Sequence, residues 1–161
     1  MFTYKILSFD GGGIRGALTA KLLQMLYKAV PRMLKNVKLF AGTSTGGIIA
    51  LALAYGISPD KLVELYVNNG PKIFDPFNVP FYEQFVRGIN KPKYNNEKLK
   101  EMLLETFAGN PPAGLLPNKV LVTSLKLNCS NNWQPVLMTN VPRSEYLEVP
   151  IVDLALRTSA A

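Results

Sequence analysis

The sequence contains no histidine, and this absence restricts its chemistry more than any other feature. Histidine is the side chain that most often carries protons near neutral pH. Within these residues its absence excludes a Ser-His-Asp triad, a Cys-His pair and nearly every histidine-bound metal site. Any nucleophile in this chain must therefore be activated without an imidazole of its own.

Cysteine and long apolar segments are also scarce. Cys129 is the only cysteine, so it forms no internal disulfide, which favours a reducing compartment. The longest nearly unbroken apolar run covers residues 48–57, far fewer than the roughly 20 residues that a spanning helix needs. No signal peptide precedes the first strand-like segment. Together these absences predict a cytoplasmic protein that is at most peripheral to a membrane.

The composition predicts one globular domain, residues 1–161. Hydrophobic residues make up 48% of the chain and charged residues 18%, which is typical of a folded domain with its own core. The formal charge of +7 suits an anionic partner such as lipid headgroups, nucleic acid or an acidic protein. Two basic groups contribute to it, and each is interpreted first as a solvated face. They are Lys28, Arg32, Lys35 and Lys38, and Arg87, Lys91, Lys93, Lys98 and Lys100.

Strand-like and helix-like segments alternate along the chain. The predicted strands are residues 4–9, 37–41, 119–127 and 133–139, and the predicted helices are 17–28, 47–55, 59 to about 68, about 96–107 and a last one from 151. This alternation predicts an α/β fold with three α/β/α layers and a largely parallel central sheet. Because ligands gather at the carboxyl ends of parallel strands, the two glycine-rich turns that follow the first two strands should lie together.

The turn after the second strand, Gly42-Thr43-Ser44-Thr45-Gly46, fits the G-x-S-x-G pattern of a nucleophile elbow. The small flanking residues allow the strand and the following helix to approach closely, which raises the serine hydroxyl above the sheet. The helix N-terminus beside Ser44 favours developing negative charge. The alternative is a glycine-rich strand–helix turn with an inert serine.

The turn after the first strand reads Asp10-Gly11-Gly12-Gly13-Ile14-Arg15-Gly16. Consecutive glycines can direct several backbone N–H groups at one anion, as an oxyanion hole requires. The same residues also match G-x-G-x-x-G, the pattern of a dinucleotide-binding turn. That site needs an acidic residue about 20 positions further on, and there is no Asp or Glu between Gly16 and Asp60.

These motifs in this order resemble the patatin-like phospholipase family. The resemblance rests on an apolar strand, the Asp-Gly-Gly-Gly-Ile-Arg-Gly segment and the Gly-Thr-Ser-Thr-Gly turn after about one helix and one strand. The closing residues 157–161, Arg-Thr-Ser-Ala-Ala, resemble a stretch that in this family precedes an Asp-Gly-Gly or Asp-Gly-Ala motif. The similarity spans almost the whole chain, but residues 70–150 match only in general pattern.

The resemblance implies a lipid acyl hydrolase with a Ser-Asp dyad in place of a triad, in agreement with the absence of histidine. Ser44 would be the nucleophile, the N–H groups of Gly11, Gly12 and Gly13 the oxyanion hole, and Arg15 a substrate contact. The implied partner is a lipid or phospholipid at a membrane surface rather than a nucleic acid, and no metal or organic cofactor is required. Residues 73–85 would offer a lid or an acyl-pocket wall, although ordinary core packing is the simpler interpretation.

The dyad aspartate of the family has no counterpart in these residues. Asp10 is expected to hold the glycine turn, Asp60 to lie in a first helical turn and Asp153 to cap the last helix, while Asp75 falls in a loop. The base is therefore expected from a C-terminal remainder of the protein, without which these residues would be inactive. Two alternatives stay open, a nucleotide-binding module that uses the Gly11–Gly16 turn and a non-catalytic interaction domain on a hydrolase scaffold.

Overall fold

The structure, a computed structural model, describes residues 3–73, 96–127 and 133–160. Four strands form one sheet in the order β1-β2-β3-β4, in which the first three are parallel and β4 is antiparallel to β3. The strands are β1 Lys5–Phe9, β2 Val37–Thr43, β3 Lys119–Lys126 and β4 Gln134–Thr139. The helices are α1 Gly16–Ala29, α2 Thr45–Tyr55, α3 Pro59–Ile73, α4 Asn96–Thr106 and α5 Ile151–Ser159. The predicted α/β class with a largely parallel sheet is confirmed.

One face of the sheet contributes to the hydrophobic core. Gly42 of β2 pairs with Val122 of β3, and Val122 pairs with Met138 of β4. Because alternate residues of a strand share a face, Phe40 lies on this side as well. Phe40, Val122 and Met138 are all nearly inaccessible to solvent, whereas the neighbouring Leu137, on the other face, is 60% exposed.

Helix α2 is the central helix of the core. It packs against β1, β2 and β3, and α5 packs against both α2 and β3. Most of its apolar side chains are buried, and those of Ile49 and Leu51 are completely so. Burial of each such side chain stabilises the fold by about 1.5–3 kcal/mol relative to exposure. Helix α1 lies further out, where it packs mainly against α3.

Helix boundaries largely follow the local signals in the sequence. The Ser58 hydroxyl accepts a hydrogen bond from the Lys61 N–H at 3.3 Å, and Pro59 takes the first position of α3. Helix α2 ends at Tyr55, and the following C-cap residue Gly56 has a φ of 106°, which is readily adopted only by glycine. Two helix boundaries differ from the prediction by more than one residue. Helix α2 begins at Thr45 rather than at residue 47, and α3 continues to Ile73 rather than to about residue 68.

Candidate active site

Ser44 occupies the sharp turn between β2 and α2. Its backbone has φ 54° and ψ −125°, a conformation that residues other than glycine seldom adopt. Strain of this kind persists only where the surroundings enforce it, and it is concentrated at functional sites. The half-buried side chain does not cap α2, and no hydrogen bond joins its hydroxyl to another residue in the described ranges. The hydroxyl is therefore available for chemistry beside a helix N-terminus.

Two glycines of the G-x-S-x-G motif are required by close backbone contacts. A Cβ on Gly42 would lie 2.3 Å from the Gly46 carbonyl oxygen, and a Cβ on Gly46 would lie 2.2 Å from the carbonyl oxygen of Phe9. Because both neighbours are backbone atoms, no side-chain rotation could relieve either collision. Gly46 thus brings the first turn of α2 against the end of β1.

The two glycine-rich turns lie side by side at the carboxyl edge of the parallel strands, as expected from the sequence. A Cβ on Gly11 would lie 3.0 Å from the Thr43 carbonyl oxygen and 3.2 Å from the Ser44 Cβ. The first turn is therefore in van der Waals contact with the serine turn. A substrate bound at Ser44 would face the backbone of the triple glycine.

The triple glycine continues into a single 3₁₀ turn, Gly13–Arg15, with Gly13 at a left-handed φ of 57°. The Gly12 carbonyl oxygen accepts hydrogen bonds from the Arg15 N–H at 3.1 Å and from the Arg15 Nε at 3.5 Å. Among the described residues, none accepts a hydrogen bond from the N–H of Gly11 or Gly12. Arg15 is exposed beside this turn, and its Nε faces the protein backbone.

Thr45 joins the two turns through its side chain. The Thr45 hydroxyl donates a hydrogen bond to the Gly13 carbonyl oxygen at 2.9 Å, and the Tyr66 hydroxyl donates one to the Thr45 carbonyl oxygen at 3.2 Å. A Cβ on Gly16 would lie only 1.9 Å from the Thr45 Cγ2, so glycine at this position makes room for the threonine. Burial raises the pKa of Tyr66 well above its usual value of 10.0, which keeps the phenol protonated.

Thr158, in the last turns of α5, contacts the serine turn from another side. The Ser44 N–H donates a hydrogen bond to the Thr158 Oγ1 at 2.9 Å. A Cβ on Gly47 would lie 2.8 Å from the Thr158 Cγ2, so this contact depends on a glycine in α2. Strand β3, the neighbour of β2, also contacts α5, because the Ser124 hydroxyl donates a hydrogen bond to the Arg157 carbonyl oxygen at 2.9 Å. Thr158, which lies in the closing segment of the chain, thus contacts the candidate site directly.

Among the described residues, no candidate acid forms a hydrogen bond with the Ser44 hydroxyl. Asp60 accepts a hydrogen bond from the Gln24 amide at 2.6 Å and pairs with the Lys28 ammonium at 3.7 Å. Asp153 lies in the first turn of α5 but does not cap it as expected, because Pro150 occupies the N-cap position. The Asp10 carboxylate is exposed and holds no hydrogen bond or ion pair with a described residue, so its expected role in the turn is not observed.

Several predictions concern residues outside the described ranges. These are the positions of Asp75 and Cys129, the aromatic residues from Phe74 to Phe85, and Arg87, Lys91 and Lys93 of the second basic group. The four members of the first basic group are all exposed, as a solvated face requires.

In residues 3–73, 96–127 and 133–160, no group of His, Cys, Asp or Glu side chains is arranged to hold a metal ion. Among the helices in the same ranges, none combines the length and apolarity needed to cross a bilayer.

The described residues line two separate cavities. The larger, of about 610 Å³, opens between Tyr55 and Ala108, at the end of α2 remote from Ser44. The smaller, of about 440 Å³, is lined by Met138, Tyr146 and Arg157 among others. Glu145 and Lys126 also line it, so the cavity carries both charge signs beside its apolar residues.

Sequence reasoning missed three residues that hold the site together, namely Thr45, Tyr66 and Thr158. Thr45 and Thr158 stood inside recognised motifs without an assigned role, and Tyr66 was not singled out. Tyr66 follows the buried Leu62 by one helical turn of α3, so its position on the buried face could have been inferred. The partner of its hydroxyl could not, because that contact links residues 21 positions apart.

Known proteins provide an independent comparison. The chain is 32% identical to the putative sporulation hydrolase CotR of Bacillus subtilis, over 100% of this chain and 49% of that protein. It is 34% identical to a cGAMP-activated phospholipase of Pseudomonas aeruginosa, over 99% of this chain and 47% of that protein. The chain therefore spans about half the length of the curated relatives it matches.

The fold also resembles solved structures. In the ExoU–SpcU complex from the type III secretion system of Pseudomonas aeruginosa, one chain superimposes with a TM-score of 0.58 at 18% identity. The match covers 97% of this chain and 36% of that one. A family model described as patatin-like phospholipase matches residues 7–161. The motifs, the fold and this match agree, and the chain belongs to the patatin-like phospholipase family.

Proposed function

We propose that this chain provides the nucleophile and the oxyanion hole of a serine lipid acyl hydrolase. One observation carries the proposal, which is the van der Waals contact between the triple glycine and Ser44. A Cβ on Gly11 would lie 3.2 Å from the Ser44 Cβ, so an ester carbonyl held at Ser44 would lie against the glycine backbone. The membership of the family and the phospholipase relative support a lipid substrate.

In the proposed reaction Ser44 forms a covalent acyl-enzyme. A carboxylate takes the proton of the Ser44 hydroxyl while the oxygen attacks the ester carbonyl carbon. The bond to the leaving alcohol or lysolipid breaks, and the leaving oxygen receives that proton. Water then attacks the acyl-enzyme and releases the fatty acid, returning Ser44 to its starting form. The carboxylate belongs to an aspartate in a C-terminal remainder of the protein, in the Ser-Asp dyad that the family resemblance implies.

The backbone N–H groups of Gly11, Gly12 and Gly13 are the proposed donors to the oxyanion. The free N–H groups of Gly11 and Gly12 support this role, since neither donates to another described residue. Donors fixed in place before the charge develops need no reorganisation during the reaction. Loss of one such donor typically costs around 3 kcal/mol of transition-state stabilisation. The positive end of α2 adds to the same field.

Arg15 is proposed to contact the substrate, with a lipid phosphate as the group it would bind. Its side chain is exposed beside the oxyanion turn, and the 3.5 Å contact from Nε to the Gly12 carbonyl oxygen holds it close to that turn. A guanidinium binds phosphate through two parallel hydrogen bonds, which lysine cannot reproduce. Arg15→Lys should therefore raise KM for a phospholipid more than for an uncharged ester.

A membrane surface is the proposed place of contact with substrate. The +7 charge and the exposed basic group Lys28, Arg32, Lys35 and Lys38 would attract the protein to anionic lipid. Binding to vesicles that contain phosphatidylserine should weaken as salt rises, because exposed charges are screened. Binding that is independent of both lipid charge and salt would contradict this part of the proposal.

Replacement of the nucleophile is the direct test of the function. In the full-length polypeptide that contains this chain, Ser44→Ala should abolish hydrolysis of phospholipid and of small fatty acyl esters. Ser8→Ala, at an exposed serine of β1, is the matched control and should retain activity. Lipid hydrolysis that survives Ser44→Ala would refute the assignment of the nucleophile.

A second test concerns residues 1–161 alone. Without the proposed dyad aspartate, this chain should react with a fluorophosphonate only slowly, because no base activates the Ser44 hydroxyl. The full-length polypeptide should react rapidly under the same conditions. Rapid and stoichiometric labelling of the 161-residue chain would mean that an acid within it serves as the base.

A further inference from the structure

The N–H of the nucleophile has a specific partner in this fold. In some serine hydrolases the nucleophile's own N–H is one of the oxyanion donors. Here the Ser44 N–H donates to the Thr158 Oγ1 at 2.9 Å, and Thr158 is only 6% exposed. A buried hydrogen bond of this kind occupies the donor, so the Ser44 N–H is not free to stabilise an oxyanion.

We propose that Thr158 is a positioning residue for the nucleophile. Its hydroxyl oxygen holds the Ser44 N–H, fixes the serine turn in its strained conformation and leaves oxyanion stabilisation to the glycine turn. This inference rests on the proposed function of Ser44. It assigns a role to the threonine of the closing segment, which contacts the turn from a helix more than a hundred positions further along the chain.

The packing around Thr158 supports a positioning role. Gly47 leaves room for it, because a Cβ there would lie 2.8 Å from its Cγ2 and 2.9 Å from its Oγ1. The adjoining Arg157 carbonyl oxygen accepts a hydrogen bond from Ser124 of β3, which fixes this end of α5 against the sheet. Helix α5 also packs along α2. The hydroxyl oxygen of Thr158 is therefore held in place on a rigid element.

The strain at Ser44 explains why such a contact is needed. A serine with φ 54° and ψ −125° relaxes unless neighbouring groups enforce its conformation. The glycines of the elbow permit the turn, whereas the Thr158 oxygen attracts the Ser44 N–H and so selects it. If the turn relaxes, the hydroxyl moves relative to both the glycine amides and the base. A misplacement of about 1 Å lowers the rate of a chemical step on the order of 100-fold.

Two variants of the full-length polypeptide separate hydrogen bonding from packing. Thr158→Val keeps the shape of the side chain but removes the acceptor, whereas Thr158→Ser keeps the acceptor and removes only a methyl group. We expect Thr158→Val to lower kcat and the rate of fluorophosphonate labelling about 100-fold with KM nearly unchanged. Thr158→Ser should retain activity within about threefold of the wild type, since a lost methyl group has a modest effect.

The outcomes distinguish this inference from the proposed function. If Thr158→Val has the kcat of the wild type, or if Thr158→Ser is as impaired as Thr158→Val, the positioning role is wrong while the Ser44 assignment stands. If Ser44→Ala remains active, the function itself fails. A loss in Thr158→Val with restoration in Thr158→Ser supports the role of the hydroxyl oxygen.

A measurement on the unmodified protein keeps the inference testable if Thr158→Val does not fold. The Ser44 amide proton should exchange with solvent much more slowly than the amide protons of Gly11 and Gly12, because it alone of the three has an acceptor among the described residues. Exchange of the Ser44 amide as fast as that of these glycines would overturn the inference.

Discussion

Helices α1 and α2 follow similar strand-and-glycine turns, yet they are buried to very different extents. Ten of the eleven residues of α2 are buried. In α1 four residues are buried, and the large apolar side chains on its outer face are more than half exposed. These exposed side chains are Leu18, Leu22, Met25 and Leu26.

The difference follows from position in the fold and agrees with composition, because α2 contains no charged residue whereas α1 contains Lys21 and Lys28. Helix α2 lies directly on the sheet, where it contacts β1, β2 and β3 and is flanked by α5. Helix α1 packs against α3 and α2, one layer further from the sheet, so in the described structure its outer face has no covering element. The number of apolar residues in α1 therefore overstates how much of that helix is buried. Helix α2, which follows Ser44, is instead surrounded by the sheet and by neighbouring helices.

The largest effect is expected where α2 begins against β1. Gly46→Ala would place a Cβ 2.2 Å from the Phe9 carbonyl oxygen, so the strand and helix must separate. We expect a loss of about 3 kcal/mol or more in the free energy of unfolding, measured by chemical denaturation. Gly12→Ala is the matched control for folding, because its Cβ would contact Arg15 at an ordinary 3.4 Å. Equal stability of the two variants would contradict the proposed backbone contact.

Truncation of one leucine in α1 and one in α2 measures the difference in burial between the two helices directly. Leu51 of α2 is fully buried, so Leu51→Ala should cost about 2–5 kcal/mol of unfolding free energy. Leu22 of α1 is 51% exposed, and Leu22→Ala should change stability by no more than about 0.5 kcal/mol. If both substitutions had the same cost, the outer face of α1 would be covered in solution.

Tyr66 links α3 to the first turn of α2, and Tyr66→Phe should cost about 1 kcal/mol at neutral pH through loss of the hydrogen bond to Thr45. The variant should also change the dependence of stability on pH. Because burial raises the pKa of Tyr66 above its usual 10.0, the unfolded chain ionises first as pH rises. Stability is thus full below pH 10 and falls above it, by at most about 1.4 kcal/mol per pH unit for this group.

Unfolding titrations of wild type and Tyr66→Phe between pH 8 and 11 check the sign of this effect. Above pH 10 the wild type should lose stability more steeply than the variant, which has no phenol at this position. Parallel curves would mean that Tyr66 ionises as readily in the folded state as in the unfolded one.

A similarly small effect is expected at the exposed ion pair of α1. Lys28 pairs with Asp60 at 3.7 Å, and both side chains are more than half exposed. Lys28→Met should change the free energy of unfolding by less than about 1 kcal/mol, and high salt should abolish the difference. Gln24→Leu, which removes the 2.6 Å hydrogen bond from a buried amide to Asp60, should cost more. A larger and salt-independent loss for Lys28→Met would contradict this order.

Local sequence signals predicted the elements well because short-range interactions determine them. The start of α3 is an example, because the Ser58 hydroxyl caps it and Pro59 takes its first position. Helix α2 starts two residues earlier than predicted, at Thr45. The Thr45 backbone lies in the first helical turn, and its hydroxyl donates a hydrogen bond to the Gly13 carbonyl oxygen. That hydrogen bond depends on the tertiary structure, so hydropathy and glycine positions alone could not reveal it.

The motifs predicted that the two glycine-rich turns meet, since both follow parallel strands. They did not predict what holds the serine turn, because the Thr158 contact spans 114 positions. Neither could the sequence show that four apolar residues of α1 face outward, since the same helical spacing is found on buried and exposed faces. Long-range contacts can be identified only once the fold is known, whereas the catalytic hypothesis depended only on short motifs and their spacing.

A crystal structure of the full-length polypeptide after reaction with a fluorophosphonate tests the central claim most directly. We predict that the phosphorus is bonded to Ser44 Oγ and that the phosphonyl oxygen lies about 2.7–3.1 Å from backbone nitrogens of the Gly11–Gly13 turn. A phosphonyl oxygen directed away from that turn, or an adduct on another residue, would contradict the account.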